Sequence, residues 1–170
     1  RGRLGRLWHS PAGMGIYISI ILRPSFKPED APGVSLMTAL ALADAIAELG
    51  VHDVKIKWPN DILYNKKKLC GILTEGIFGK DSFVIVGIGL NVNQTKLPNE
   101  IRNTATSLRM VRHRFFSIKS LMNEIIRKFF FLYHNYYIKN KLNNIIKLWK
   151  KRCDTIGKDI IVITRTKKIY

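Results

Sequence analysis

"ILYNKKKLCGIL", Ile62 to Leu73, is the stretch on which the fold turns. Two apolar runs flank a polar centre, a pattern that predicts a β-hairpin turning at about Asn65–Lys67. Just upstream, "VKIKWP" (54–59) alternates apolar and polar residues, and Pro59 ends that strand. "GMGIYISIIL" (13–22) has the same period of two, and "FVIVGIGLNVN" (83–93) reads as a strand that runs into a glycine-relieved turn. Between the first strand and the hairpin lie a Pro-rich connector, "RPSFKPEDAP" (23–32), and a helix, "GVSLMTALALADAIAELG" (33–50). Pro32 and Gly50 punctuate that helix at its two ends. Two more helices are predicted over 117–137, with Ser117 as N-cap, and over 141–151. A last strand begins in "KDIIVIT" (158–164). Strands dominate the first half around one long helix and helices follow, which gives an α+β layer architecture. No internal repeat is present.

The 170 residues are enough for one domain with a small appendage, and 46% hydrophobic content against 24% charged is globular. No uninterrupted apolar run of about 20 residues stands out as a bilayer span, so no membrane partner is expected. Two cysteines give no disulfide framework, and a reducing cytoplasm is the expected location. The net charge of +17 is lopsided: residues 1–100 carry +3 and residues 101–170 carry +14. That half interleaves Lys with Asn and Ile, and the plainer reading is a solvated basic surface. Specific nucleic-acid binding is not expected of it. A start at Arg1 and a stop within β-like sequence read as a fragment.

Four segments hold residues that a core does not need. "RGRLGRLW" (1–8) combines glycines, which let a backbone approach a ligand, with Arg1, Arg3 and Arg6, whose guanidinium forks suit carboxylate or phosphate oxygens. "KWPNDI" (57–62) sets Asn60 and Asp61 on a turn at a sheet edge. "KKKLCGILTE" (66–75) begins the second hairpin strand and brings Lys68 close to Asp61, where the two would keep each other ionised. Gly71 marks a close approach by a ligand or backbone, while Cys70 reads as a small buried hydrophobe, with no neighbouring His to activate it. "GIGLNVN" (87–93) puts Gly87, Gly89 and Asn91 on one face, a flat floor for a ring with an amide at its end. It lacks the third glycine of a dinucleotide fingerprint, a Walker A pattern is absent, and the four histidines show no metal-ligand spacing. Trp58 is read as core packing.

Taken in order, "RGRLGRLWHSPAGMGIYISIILRP", "KWPNDI", "KLCGILTE", "VGIGLNVN" and "ATSL" (105–108) resemble the biotin–protein ligases of the BirA type, with a looser likeness through "LWKKRCDTIGK" (148–158). The resemblance implies a class II synthetase-like catalytic domain over 1–150, a mixed or antiparallel sheet with helices packed on one face. The start of a small SH3-like β domain would follow over 151–170. It also implies that biotin and ATP, the latter with Mg2+, give biotinyl-5′-AMP and pyrophosphate. A lysine of the biotin carboxyl carrier domain of acetyl-CoA carboxylase then takes the biotin.

Arg1, Gly2, Arg3, Lys68, Gly71, Leu73 and Gly87 fall on the biotin side of that resemblance, and Arg6, Trp8, Asn60 and Asn91 on the ATP side. Lys68, Arg3 and Asp61 carry the chemistry, with no metal ligand among them. A homodimer is compatible with it. An upstream strand with a Gln/Gly segment, and any winged-helix domain, would lie before Arg1. A lipoate–protein ligase of the same fold is the alternative, and a DNA-binding or regulatory module the second.

Overall fold

In a computed structural model of the chain, residues 2, 5, 7–23, 28–80, 82–139, 141–163 and 168–169 are described. Five strands form one antiparallel sheet: β1 (Gly15–Leu22), β2 (Val54–Lys57), β3 (Asp61–Tyr64), β4 (Lys67–Ile77) and β5 (Phe83–Asn91), in the order β1-β5-β4-β3-β2. The hairpin expected from Ile62–Leu73 is β3–β4. Asn65 and Lys66 both take positive φ, 46° and 63°, which matches the two-residue turn that follows a strand's right-handed twist.

One irregularity in this hairpin decides which residues face where. The register shifts between Ile62 and Leu63, so that Leu63 lies opposite Lys68 but Ile62 lies opposite Cys70. Leu69 is the extra residue, and it and Cys70 both turn into the core, each fully buried. Strict alternation from Lys68 would have put Cys70 on its face. The bulge puts Gly71 there instead, opposite Asp61.

The covered face of the sheet carries Ile56, Ile62, Cys70, Ile72, Val84, Val86, Ile88 and Leu90, all buried. Against it lies α1 (Ala31–Ala47), and α3 (Ile118–Leu132) and α4 (Leu142–Arg152) pack on α1 in turn. Helix α1 is apolar all round because it is covered from both sides, whereas α3 and α4 bury only one stripe each. Its one buried hydroxyl, Thr38 Oγ1, donates to the Val34 carbonyl at 2.7 Å. Within Pro28–Ala47, 20 residues long, an 18-residue window reaches a mean hydropathy of 1.2, enough by length and composition for a membrane span, although Glu29, Asp30 and Asp44 interrupt its apolar run. Two-thirds of it is buried inside the protein, which accounts for that composition as a central core helix.

Ser117 caps α3 as expected, accepting from Ser120 N at 3.3 Å, and a π-helical turn, Tyr133–Ile138, continues α3 toward α4. Arg152 at the end of α4 pairs with Asp44 of α1 at 2.7 Å. Beyond α4, Asp154 N donates to the Ile56 carbonyl and Thr155 Oγ1 accepts from Trp58 N at 3.0 Å, so this segment runs along the free edge of β2. The strand expected over 158–164 is confined, among the described residues, to β6 (Val162–Ile163), which pairs with β7 (Lys168–Ile169) in a sheet of its own.

Phe129 anchors α3: it is fully buried, edge-on to Phe130 at 5.3 Å and stacked on Tyr133 at 6.2 Å. Phe129→Ala is expected to cost about 3–5 kcal/mol in urea unfolding, against about 0.5 kcal/mol for the half-exposed Phe130→Ala. Equal losses would contradict this packing.

Candidate active site

The face of the sheet away from the helices is open, and its residues follow from the register. One row runs straight across all five strands: Tyr17, Gly89, Gly71, Asp61 and Lys57. A second row is Ser19, Gly87 and Leu73. Together they floor a cleft of about 940 Å³, walled by Trp8, His9 and Ser10 on one side and by Trp58–Asn60 and the loop residues Ile101, Thr104 and Ala105 on others. Among the described residues, no Lys or Arg of the basic second half lines it.

Lys68 Nζ meets Asp61 Oδ1 at 2.7 Å, an ion pair with the two side chains 33% and 21% exposed. The pairing expected from the hairpin is present. The backbone of Lys68 is held from the far side as well: its N–H donates to the Thr104 carbonyl at 2.7 Å and its carbonyl accepts from Thr106 N at 2.9 Å. Sequence reasoning gave no sign of this second support, since it comes from a loop more than thirty residues away. Asn60 is used structurally as well as lining the cleft. Its Nδ2 donates to the Ile72 carbonyl at 2.7 Å and its own carbonyl accepts from Ile72 N, pinning the turn to β4.

The flat floor expected from the glycines exists, and a ring lies on it. A Cβ on Gly89 would stand 2.8 Å from Trp8 Cε2, and one on Gly71 would stand 2.9 Å from Trp8 Cζ3. Only bare backbone admits the indole there. Lys68 Nζ is 5.2 Å from the centroid of the Trp8 ring, within cation–π range. Trp8 Nε1 is buried with no hydrogen-bond partner among the described residues. Gly87 plays a lesser part, its nearest neighbours being Leu73 atoms at 3.5 Å and beyond. Asn91 is buried at the end of the floor, its Nδ2 donating to the Thr106 carbonyl at 3.0 Å.

Of the predicted residues, Gly2, Trp8, Asn60, Asp61, Lys68, Gly71, Leu73, Gly87 and Asn91 all line this one cleft. Arg1, Arg3 and Arg6 lie outside the described residues. Trp58 corrects the reading given above: it is 45% exposed and lines the cleft rather than the core, because it follows an edge strand into the turn. Cys70 is fully buried, and burial pushes its thiol well above the ordinary range, the Asp61 charge adding to this and Lys68 opposing it. It is no nucleophile. Tyr17, Ser19 and the 101–105 loop were not anticipated. Tyr17 and Ser19 could have been found from alternation along β1 once that strand was placed beside Gly87 and Gly89.

Comparison with known proteins bears directly on this site. The model of the biotin/lipoate A/B protein ligase family matches residues 1–93, from the Gly-Arg segment through the glycine strand. The chain belongs to the biotin/lipoate A/B protein ligase family. One relative within that range of proteins, the bifunctional ligase/repressor BirA of Bacillus subtilis, is 36% identical across the whole chain, which spans 53% of that protein. A biotin–[acetyl-CoA-carboxylase] ligase of Mycobacterium tuberculosis is 41% identical over 64% of this chain and 40% of its own length. Among solved structures, the biotin protein ligase of Aquifex aeolicus in complex with biotin and ATP superposes with a TM-score of 0.88 at 30% identity, over 99% of this chain and 70% of that one. The α+β architecture, with an antiparallel sheet and its helices, is that of the biotin protein ligase catalytic domain.

The contact between Trp8 and the glycine floor can be tested by filling the floor. In a Trp58→Phe, Trp149→Phe background, Gly89→Ala is expected to push the Trp8 indole into solvent and red-shift its emission. An unchanged spectrum would place Trp8 elsewhere.

Proposed function

We propose that this chain carries the catalytic unit of a biotin–protein ligase. The observation that carries the reading is the Lys68–Asp61 ion pair set beside a glycine floor inside one cleft. Activation of a carboxylic acid by ATP needs a cation where negative charge builds on the α-phosphate and the attacking carboxylate. Lys68 fits that requirement: its main chain is held at both its N–H and its carbonyl, and the Asp61 carboxylate fixes the position of its ammonium at 2.7 Å.

In the first step a biotin carboxylate oxygen attacks the α-phosphorus of ATP, the α–β phosphoanhydride bond breaks, and pyrophosphate leaves with biotinyl-5′-AMP remaining. In the second, a lysine amine of the carrier domain attacks the acyl carbon, an amide forms, and AMP departs. Gly71, Leu73 and Gly87 are assigned to the apolar biotin ring, and Arg1, Gly2 and Arg3 to its carboxylate. Arg6, Trp8, Asn60 and Asn91 are assigned to the nucleotide. With no third acid, His or Cys grouped with Asp61 among the described residues, Mg2+ is assigned to the phosphates of ATP rather than to a protein cage.

The name of the Mycobacterium tuberculosis relative supports an acetyl-CoA carboxylase carrier domain as acceptor. Residues 1–150 form the catalytic unit in this reading, and residues 151–170 open a second β unit. Its separate β6–β7 sheet supports that division.

The experiment is biotin-dependent exchange of pyrophosphate into ATP by the full-length protein. Exchange is expected, with Lys68→Ala lowering it by about a hundredfold or more. No exchange by the unaltered protein, or exchange indifferent to Lys68, overturns the reading.

A further inference from the structure

At the end of the floor, Tyr17 of β1 meets Asn91 and Gln94 at the end of β5. Gln94, only 3% exposed, donates from Nε2 to the Tyr17 hydroxyl at 3.0 Å and to Asn91 Oδ1 at 3.3 Å. Asn91, which lines the cleft, donates from Nδ2 to the Thr106 carbonyl at 3.0 Å. Gln94 is itself held by its backbone carbonyl, which accepts from Ser107 Oγ at 2.6 Å, and Ser107 also caps α2 (Leu108–Arg112). Partial burial pushes the Tyr17 phenol upward, with the Gln94 hydrogen bond pulling the other way, so Tyr17 stays neutral beside the cleft.

The direction of this chain of bonds follows from one group. A backbone carbonyl can only accept, so Thr106 fixes the nitrogen side of the Asn91 amide toward itself. Oδ1 then faces Gln94, which must answer with its nitrogen. Turning either amide over would set oxygen against oxygen. A primary amide has two N–H donors and two oxygen acceptor sites, so Asn91 keeps one of each for a ligand in a fixed order. An acceptor beside a donor matches the amino group and adjacent ring nitrogen of adenine, whereas guanine presents two acceptors along the corresponding edge.

A further detail separates this from a purely structural network. Gln94 Oε1 is buried with no hydrogen-bond partner among the described residues, a cost that an apolar side chain of the same length would avoid.

We propose that Gln94 is a positioning residue that locks the Asn91 amide in the orientation that accepts adenine, and so sets the preference for ATP. This rests on the assignment of Asn91 to the nucleotide made above. The test compares Gln94→Met, Gln94→Glu and Asn91→Ala in the full-length protein by biotin-dependent pyrophosphate exchange, alongside thermal unfolding. Met keeps the length of Gln without its amide, and an ionised Glu accepts but does not donate.

Both Gln94 variants are expected to raise the KM for ATP about tenfold while the KM for biotin stays within about twofold. Gln94→Met is also expected to keep or raise the melting temperature and to narrow the preference for ATP over GTP. An unchanged KM for ATP, or equal rises for ATP and biotin, overturns the proposal. So does failure of both variants to fold, which would assign Gln94 to stability alone. If Asn91→Ala leaves the KM for ATP unchanged, the assignment of Asn91 fails and this inference falls with it. If Asn91→Ala weakens ATP while both Gln94 variants are silent, only the role of Gln94 is lost.

Discussion

A single displaced residue in one hairpin governs how this protein presents its chemistry. Leu69, the extra residue of the β3–β4 bulge, sends two successive side chains into the core and so returns the strand to the open face at Gly71 instead of Cys70. Without it, Lys68 would share its face with a thiol, and the bare position opposite Asp61 would be filled. With it, the ion pair of Lys68 and Asp61 stands beside a strip of uncovered backbone. Every other feature of the cleft is arranged around that strip: Gly89 continues it on β5, Trp8 lies on it, and Asn91 closes its end.

The layers beneath explain why such a strip is stable. A sheet with one bare, wetted face has to gain its burial from the other, and α1 supplies it by being covered on both sides, by the sheet and by α3 and α4. The separation also divides labour in electrostatic terms. Among the described residues, no Lys or Arg of 101–170 lines the cleft, which uses a few cations placed by strand register. Net charge here says little about the reaction, and position says most.

Much of this was legible in the sequence, for local reasons. Alternation placed the strands, the Asn65 turn placed the hairpin, and the hairpin placed Lys68 near Asp61, because each depends on residues close in the chain. The glycine floor was legible from period two along 87–91. What escaped was long-range. The seat of Trp8 on Gly71 and Gly89, the grip of Thr104 and Thr106 on Lys68, and the hydrogen bond from Gln94 to Tyr17 join residues tens of positions apart with no periodic signal. Trp58 was misplaced because an aromatic residue beside a strand resembles core until the strand proves to lie at the sheet's edge.

The proposed chemistry has a definite place: the acyl–phosphate junction would form at Lys68, over the strip bared by the bulge. The most direct measurement is a crystal structure of the protein with a non-hydrolysable analogue of biotinyl-5′-AMP. The account predicts the junction within hydrogen-bond distance of Lys68 Nζ and the bicyclic ring over the Leu73–Gly87 row, beside the seat of Trp8. A ligand bound away from the open face, or bound there with no contact to Lys68, would contradict it.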